Sequence, residues 1–326
     1  MKLLSVQAPS ETLRTVCEQL NNWDDDARKQ KTTDALPPGV AGSVSVLSIL
    51  PTTITDPVVC MDIPCICGLV GGTLSGLNCR LPSGAIYGRY TQLLVRITSD
   101  NIFDIAHIGV RKEYRMMNDE ERSRFHAAMW TLKRNGEYER FARMHEDARQ
   151  APSAHSGPAF LPWHREYIKR LEISLRRIDP SISLPYWDST LDGALNNPSS
   201  SVLWSSELMG EPAGTLNSGA LRGWTNLQGG TVRRSLGRDS DRVMKYSDVE
   251  AIQGKTRIES TLAFTSVRMG CPYFVEWDNM EFAHGYSHMF VGGEMMIQST
   301  AAADPMFFLH HSFIDLLWED WRLRRQ

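Results

Sequence analysis

Nothing in the 326-residue chain approaches the ~20 consecutive apolar residues of a membrane span. The longest candidates, Val44–Leu50 and Ile66–Leu77, are short or broken by glycine. An excess of one charge is also lacking. The 35 basic and 38 acidic residues leave −3, so neither nucleic acid nor an anionic membrane surface is implied as a partner. No Ser-His-Asp constellation, phosphate-binding glycine loop or internal repeat of fixed period can be traced. Met1-Lys2-Leu3-Leu4 begins like a secretory signal, but Gln7, Pro9, Ser10 and Glu11 follow where an apolar region belongs. What is present is ordinary globular material: 42% hydrophobic and 22% charged residues exclude disorder as the dominant state.

Four of the six cysteines, Cys60, Cys65, Cys67 and Cys79, fall between residues 60 and 79, while Cys17 and Cys271 stand apart. Their spacing fits poorly with the paired C-x2-C pattern of zinc sites. Disulfide staples in a loop-rich segment are the better reading, and they imply an oxidising, extracellular compartment.

Residues 1–39 carry a possible short helix with Leu13, Val16, Cys17 and Leu20 on one stripe, and residues 37–57 read as a linker rich in Pro, Ser and Thr. From about residue 101 the pattern turns helical. Asn118 with Glu121 three residues later forms a capping-box signature, followed by the stripe Phe125, Ala128, Met129, Leu132. A second helix is predicted over Glu137–Ala148, with Tyr138, Phe141, Ala142 and His145 on one face. A third begins at Pro162, with the stripe His164, Tyr167, Ile168, Leu171, Leu175, Ile178. Residues 179–270, rich in Ser, Gly, Asn and Pro, read as an irregular excursion packed on the helices. Helical pattern returns over Asn279–Phe290, and again from Asp304-Pro305 to about Arg325. The final residues read as uncapped helix, so the chain is expected to be truncated there.

Seven of the nine histidines cluster in 145–164 and 284–311. His145, His164 and His311 lie on the apolar stripes of their helices, and His284 and His288, at i and i+4, leave one side of another. His155 sits in a loop able to fold over the bundle. His126 falls one position off its stripe and His107 has no partner motif, so both read as ordinary histidines. Imidazoles placed where leucines belong are costly unless each is satisfied. Six neutral nitrogen donors exceed what one zinc takes, and two sets of three point to two metals. A donor set without carboxylate suits copper.

These residues then fall into a known pattern. His155-Ser156-Gly157-Pro158-Ala159-Phe160-Leu161-Pro162-Trp163-His164-Arg165-Glu166-Tyr167 resembles the copper-A signature of tyrosinases. Asp304-Pro305-Met306-Phe307-Phe308-Leu309-His310-His311-Ser312-Phe313-Ile314-Asp315 resembles the copper-B signature. His284-x3-His288 followed by Phe290-Val291-Gly292-Gly293 fits between them. The cysteine-rich segment is similar to that of secreted invertebrate tyrosinase-like proteins, nematode ones above all.

The resemblance implies a mainly α fold: a central four-helix bundle carrying a dicopper centre, long irregular loops, and a cysteine-rich N-terminal region (1–100) ahead of the copper-binding domain (101–326). Copper A would take His145, His155 and His164; copper B would take His284, His288 and His311, with His310 behind them. Asp315 would orient a copper-B imidazole, and Phe307 would overhang the site. Ser153 stands where some relatives cross-link a cysteine to the second copper-A histidine, so no thioether is expected. Gly285 stands where monophenol-hydroxylating members carry Asn, and Glu276 or Glu281 would supply a carboxylate beside it. The implied activity is oxidation of a small phenolic substrate, o-diphenol to o-quinone, with two copper ions and O2, and with monophenol hydroxylation slow or absent. The alternatives are a haemocyanin-like dioxygen carrier and a secreted protein with a degenerate site.

Overall fold

Helix boundaries follow the capping chemistry. The computed structural model describes residues 8–29, four short strands between 73 and 94, and residues 110–149, 151–152, 154–238, 241–262 and 276–325. Helix α1 spans Glu11–Lys29. Helix α2, Asp119–Arg134, opens on a reciprocal cap in which Asn118 Oδ1 accepts the Glu121 N–H at 2.8 Å and the Glu121 carboxylate accepts the Asn118 N–H at 2.9 Å. Gly136, at φ 80°, turns the chain into α3, Glu137–Glu146. Helix α4, Phe160–Ile178, starts two residues ahead of the predicted proline, leaving Pro162 in the first turn where its missing N–H costs nothing. Its last residue, Ile178, is exposed rather than part of the buried stripe. After the excursion come α5, Tyr246–Gly254, α6, Met280–Val291, and α7, Met306–Arg325. Asn279 Oδ1 caps α6 by accepting the Phe282 N–H at 2.9 Å.

Helices α3, α4, α6 and α7 form the central bundle of a mainly α fold. Helix α7 is buried on every side from Met306 to Ile314, as a helix at the centre of a bundle must be. Tyr167 donates its hydroxyl to the Phe141 carbonyl at 2.6 Å, tying α4 to α3. The apolar stripe of α1 lies on Phe282 and Met289 of α6.

The excursion is irregular but not loose. Trp187, Trp204 and Trp224 are buried in the main core, and the Trp224 indole donates to the Ala303 carbonyl at 3.2 Å. Strands β1 (Thr73–Ser75), β2 (Asn78–Arg80), β3 (Ile86–Gly88) and β4 (Thr91–Leu94) form an antiparallel meander. Within the excursion, β5, Ala213–Thr215, pairs antiparallel with β6, Arg233–Ser235. Arg234 of β6 reaches the start of α7, where its guanidinium grips both Asp304 oxygens at 2.8 Å. Asp304 Oδ1 also accepts the Met306 N–H at 2.9 Å. The cysteine pairing expected for 60–79, Cys271 and Ser153 lie outside the described side chains; Cys17 is a free, buried thiol on α1.

The Arg234–Asp304 pair is almost wholly buried, with side chains 1% and 0% exposed. Removing one partner strands a charge, which typically costs about 3–5 kcal/mol. Asp304→Ala should therefore lower the urea midpoint far more than removal of the exposed Lys29–Asp26 pair, and equal shifts would contradict the placement.

Candidate metal centre

Each helix of the bundle contributes an imidazole at the same level. His145 occupies the last turn of α3, and His164 the first full turn of α4. His155 hangs from the connection between them, where Ser156 adopts φ 65°. The ring nitrogens of this triad lie within 4.8 Å of one another, and His145 Nε2 and His155 Nε2 are 2.9 Å apart. His284 and His288 leave one side of α6 and meet His311 of α7 in a second triad, with 3.3 Å between His288 Nε2 and His311 Nε2. The triads adjoin: His164 and His311 stack at 4.2 Å between ring centroids, with an interplanar angle of 10°.

Backbone carbonyls set three of the six tautomers. A carbonyl can only accept, so the contacting nitrogen carries the proton. His164 Nδ1 donates to the Phe160 carbonyl at 2.9 Å, His288 Nδ1 to the Met295 carbonyl at 2.8 Å, and His284 Nδ1 to the Glu281 carbonyl. In each case Nε2 is left with its lone pair directed into the triad. His164 Nε2 is buried with no partner at all. Metal–imidazole bonds of about 2.0–2.1 Å would put two nitrogens 2.9 or 3.3 Å apart at roughly 90–110° about a shared ion. The residues present therefore fit one metal per triad, and three imidazoles without a carboxylate suit copper.

The neighbours divide into those at the centre and those elsewhere. The Phe307 ring lies 4.1 Å from His311 and 4.7 Å from His145, between the triads. Phe160 packs on His155, His164, His284 and His311 and was not anticipated, although an aromatic four residues before a stripe histidine was a readable signal. His310 Nε2 donates to the His284 carbonyl at 3.0 Å, which commits that nitrogen away from the triad.

Three expectations need amending. Asp315 does not orient His311. Its carboxylate is taken by Arg165 and by Arg111, the latter at 3.0 Å, while His311 Nδ1 has no hydrogen-bond partner. Glu276 and Glu281, left open by spacing, occupy different surroundings. Glu276 lies at the surface paired with Lys255 at 2.5 Å, whereas Glu281 is fully buried, 3.6 Å from His155 Nδ1, and accepts the Ser156 N–H at 2.7 Å. Gly285 is crowded: a Cβ there would meet the Val16 methyls of α1 at 2.7 and 2.9 Å. His126 is not at the centre; it pairs with the Tyr114 hydroxyl at 2.9 Å. His107 lies outside the described residues.

Burial shifts these groups strongly. His145 is pushed down to about 3 and His288 to about 4, from an ordinary 6.5, because the interior disfavours the cation. The other four triad imidazoles move the same way for the same reason. Unfolded imidazoles take up protons near 6.5, whereas His145 does so only near about 3 and His288 near about 4, and the other four well below the ordinary value. Between those limits the folded state binds fewer protons. Stability is therefore fully present above ~6.5 and falls on acidification, by about 1.4 kcal/mol per pH unit for each such group. The urea midpoint of the metal-free chain should drop steeply from pH 7 to pH 5, and a flat profile would contradict neutral burial.

The family model for the common central domain of tyrosinase matches residues 135–324, which contain both triads. A putative tyrosinase-like protein of Caenorhabditis elegans is 40% identical over 323 residues, covering 98% of this chain and 43% of its own length. A tyrosinase of Streptomyces glaucescens is 31% identical over 235 residues, covering 66% of this chain and 83% of its own. Among solved structures, a polyphenol oxidase from Thermothelomyces thermophila superposes with TM-score 0.52 at 22% identity, over 66% of this chain and 70% of that one, which is a likeness of fold. The chain thus spans less than half of its nematode relative. The two triads fit two copper ions. Fold, triad geometry and sequence match agree, and the chain belongs to the tyrosinase family.

Proposed function

We propose that this chain is a copper-dependent phenol oxidase that converts o-diphenols to o-quinones, with His145, His155 and His164 holding one copper and His284, His288 and His311 the other. The observation that carries this reading is the abutting pair of complete imidazole triads, stacked through His164 and His311. When bound, such a copper pair supplies activation of dioxygen and the electron exchange with the phenol. The chain's own part is geometric and electrostatic. Carbonyls of Phe160, Glu281 and Met295 fix the ring orientations, as outer acceptors do for metal-ligating histidines. Phe160 and Phe307 wall the site with apolar surface.

Glu281 is the carboxyl assigned to proton handling. Burial pushes it up to about 8, while the Ser156 N–H pulls the other way. A carboxyl near neutrality in its proton affinity can hold or release a substrate proton at working pH. Its Oε1 accepts from Ser156, and Oε2 has no partner.

One observation favours a second reading, a dioxygen carrier: the cavity against the triads is only about 30 Å³, too small for a phenol. Copper loading followed by a catechol assay separates the two, since a carrier binds dioxygen reversibly without turnover. For the oxidase, wild type and His126→Ala should bind two coppers and oxidise catechol, while His164→Ala and His311→Ala should fall to background. Equal loss in all three variants would refute the ligand assignment.

Catechol oxidation should exceed tyrosine hydroxylation at least ~tenfold, more than 1.4 kcal/mol in barrier, because Gly285 presents no side chain to hold a water for deprotonating a monophenol. Gly285→Asn alone would collide with Val16. The test is therefore Val16→Ala/Gly285→Asn against Val16→Ala, in which the added Asn should raise monophenol relative to diphenol turnover. An unchanged ratio would remove Gly285 from the account.

A further inference from the structure

We infer that helix α1 is an autoinhibitory lid, which closes the phenol-binding cavity over both triads and must lift before an aromatic ring can reach them. This inference rests on the phenol oxidase reading above. The cavity is bounded below by His145, His155, His284 and His288 and roofed by Val16, Gln19 and Leu20 of α1. A volume of about 30 Å³ holds one or two waters, whereas a protein cavity that takes up benzene measures about 150 Å³. Trp23, one turn further along α1, presses edge-on against His155 at 4.9 Å between ring centroids and lies 5.9 Å from His145. The helix therefore stands where a substrate ring would have to lie, in contact with two imidazoles of one triad through Trp23 and across the cavity from His284 and His288 of the other.

Two features indicate a cover shaped for this seat. Gly285 is the residue that lets Val16 descend, since any Cβ there would strike its methyls at under 3 Å. Polar attachments hold the helix at several points along its length. Gln19 Nε2 donates to the Met296 carbonyl at 2.9 Å, and Gln19 Oε1 accepts the Gln298 N–H at 3.2 Å. Ser156 Oγ donates to the Leu20 carbonyl at 2.6 Å, and Thr12 Oγ1 to Asp241 at 2.6 Å. No residue of α1 belongs to either triad, so the helix can leave without dismantling the centre. Dioxygen is small enough to need far less opening than a catechol. A lid of this kind multiplies apparent phenol affinity by the open fraction, and so lowers it, while leaving the ligand set intact.

The test uses the whole 326-residue chain and two readouts, one independent of copper. In the metal-free protein, diethyl pyrocarbonate labelling of His145, His155 and His284 is followed by mass spectrometry, with His310, buried outside the cavity, as the internal marker of global unfolding. In the copper-loaded protein, kcat/KM for catechol is measured. Gln19→Ala/Leu20→Ala should accelerate labelling of the cavity histidines and raise kcat/KM at least tenfold, with His310 still protected, while Leu20→Met should behave as wild type. If the double variant labels His310 as well, Gln19→Ala alone, which keeps the whole apolar face of α1, is read by the same criteria. Unchanged labelling and unchanged turnover in a folded variant would overturn the lid. Faster labelling with no catechol oxidation by any variant would keep the lid and reject the phenol oxidase reading.

Discussion

Six imidazoles pointing into one apolar interior are the constraint around which this fold is arranged. A buried neutral imidazole has one donor and one acceptor, and each left alone costs free energy. Three of the six are satisfied on one side by carbonyls of the helices that carry or adjoin them, at Phe160, Glu281 and Met295. At the same level the Nε2 atoms of His145 and His155 approach to 2.9 Å and those of His288 and His311 to 3.3 Å, so ring nitrogens converge in both triads. A metal ion in each triad resolves that convergence. The helix caps then acquire a second meaning. Asn279 and Asp304 begin α6 and α7 at the register that brings His284, His288 and His311 to the level of His145 and His164.

The excursion and the N-terminal helix serve the same centre from outside. Arg234 clamps Asp304 at the start of α7. The Gly292–Gly293 step, with φ 68° and 54°, lets the chain pass close under β6, where a side chain would strike the backbone of Arg233 and Ser235. It thereby delivers the Met295 carbonyl to His288. From the other side, α1 seals the cavity over the triads, and Gly285 is the point at which bundle and cover are fitted to each other. One glycine thus links what the site can bind to how it is closed.

Much of this was legible in the residues because helical periodicity records burial. The stripes of α2, α3 and α4, the Asn118–Glu121 cap and the placement of five histidines on apolar faces were all readable from spacing. The stripe Leu13, Val16, Cys17, Leu20 was equally visible, but a stripe shows only that a face is covered, and its partner on α6 is a long-range contact that no local pattern encodes. Asp315 illustrates the same limit. Four residues after His311 it shares a helix side with that ring, yet Arg111 and Arg165, distant in sequence, capture its carboxylate. Glu276 and Glu281 could not be separated by spacing, because Lys255, which holds Glu276 at the surface, arrives from α5's far end.

The central claim is that the two triads are two metal seats sharing one site. Anomalous scattering from crystals of the copper-loaded chain, collected at the copper edge, tests it most directly. The account predicts two peaks of equal strength in each molecule, one enclosed by the ring nitrogens of His145, His155 and His164 and the other by those of His284, His288 and His311. A single peak, or density bound to Glu281, His310 or His126 in place of either triad, would contradict it.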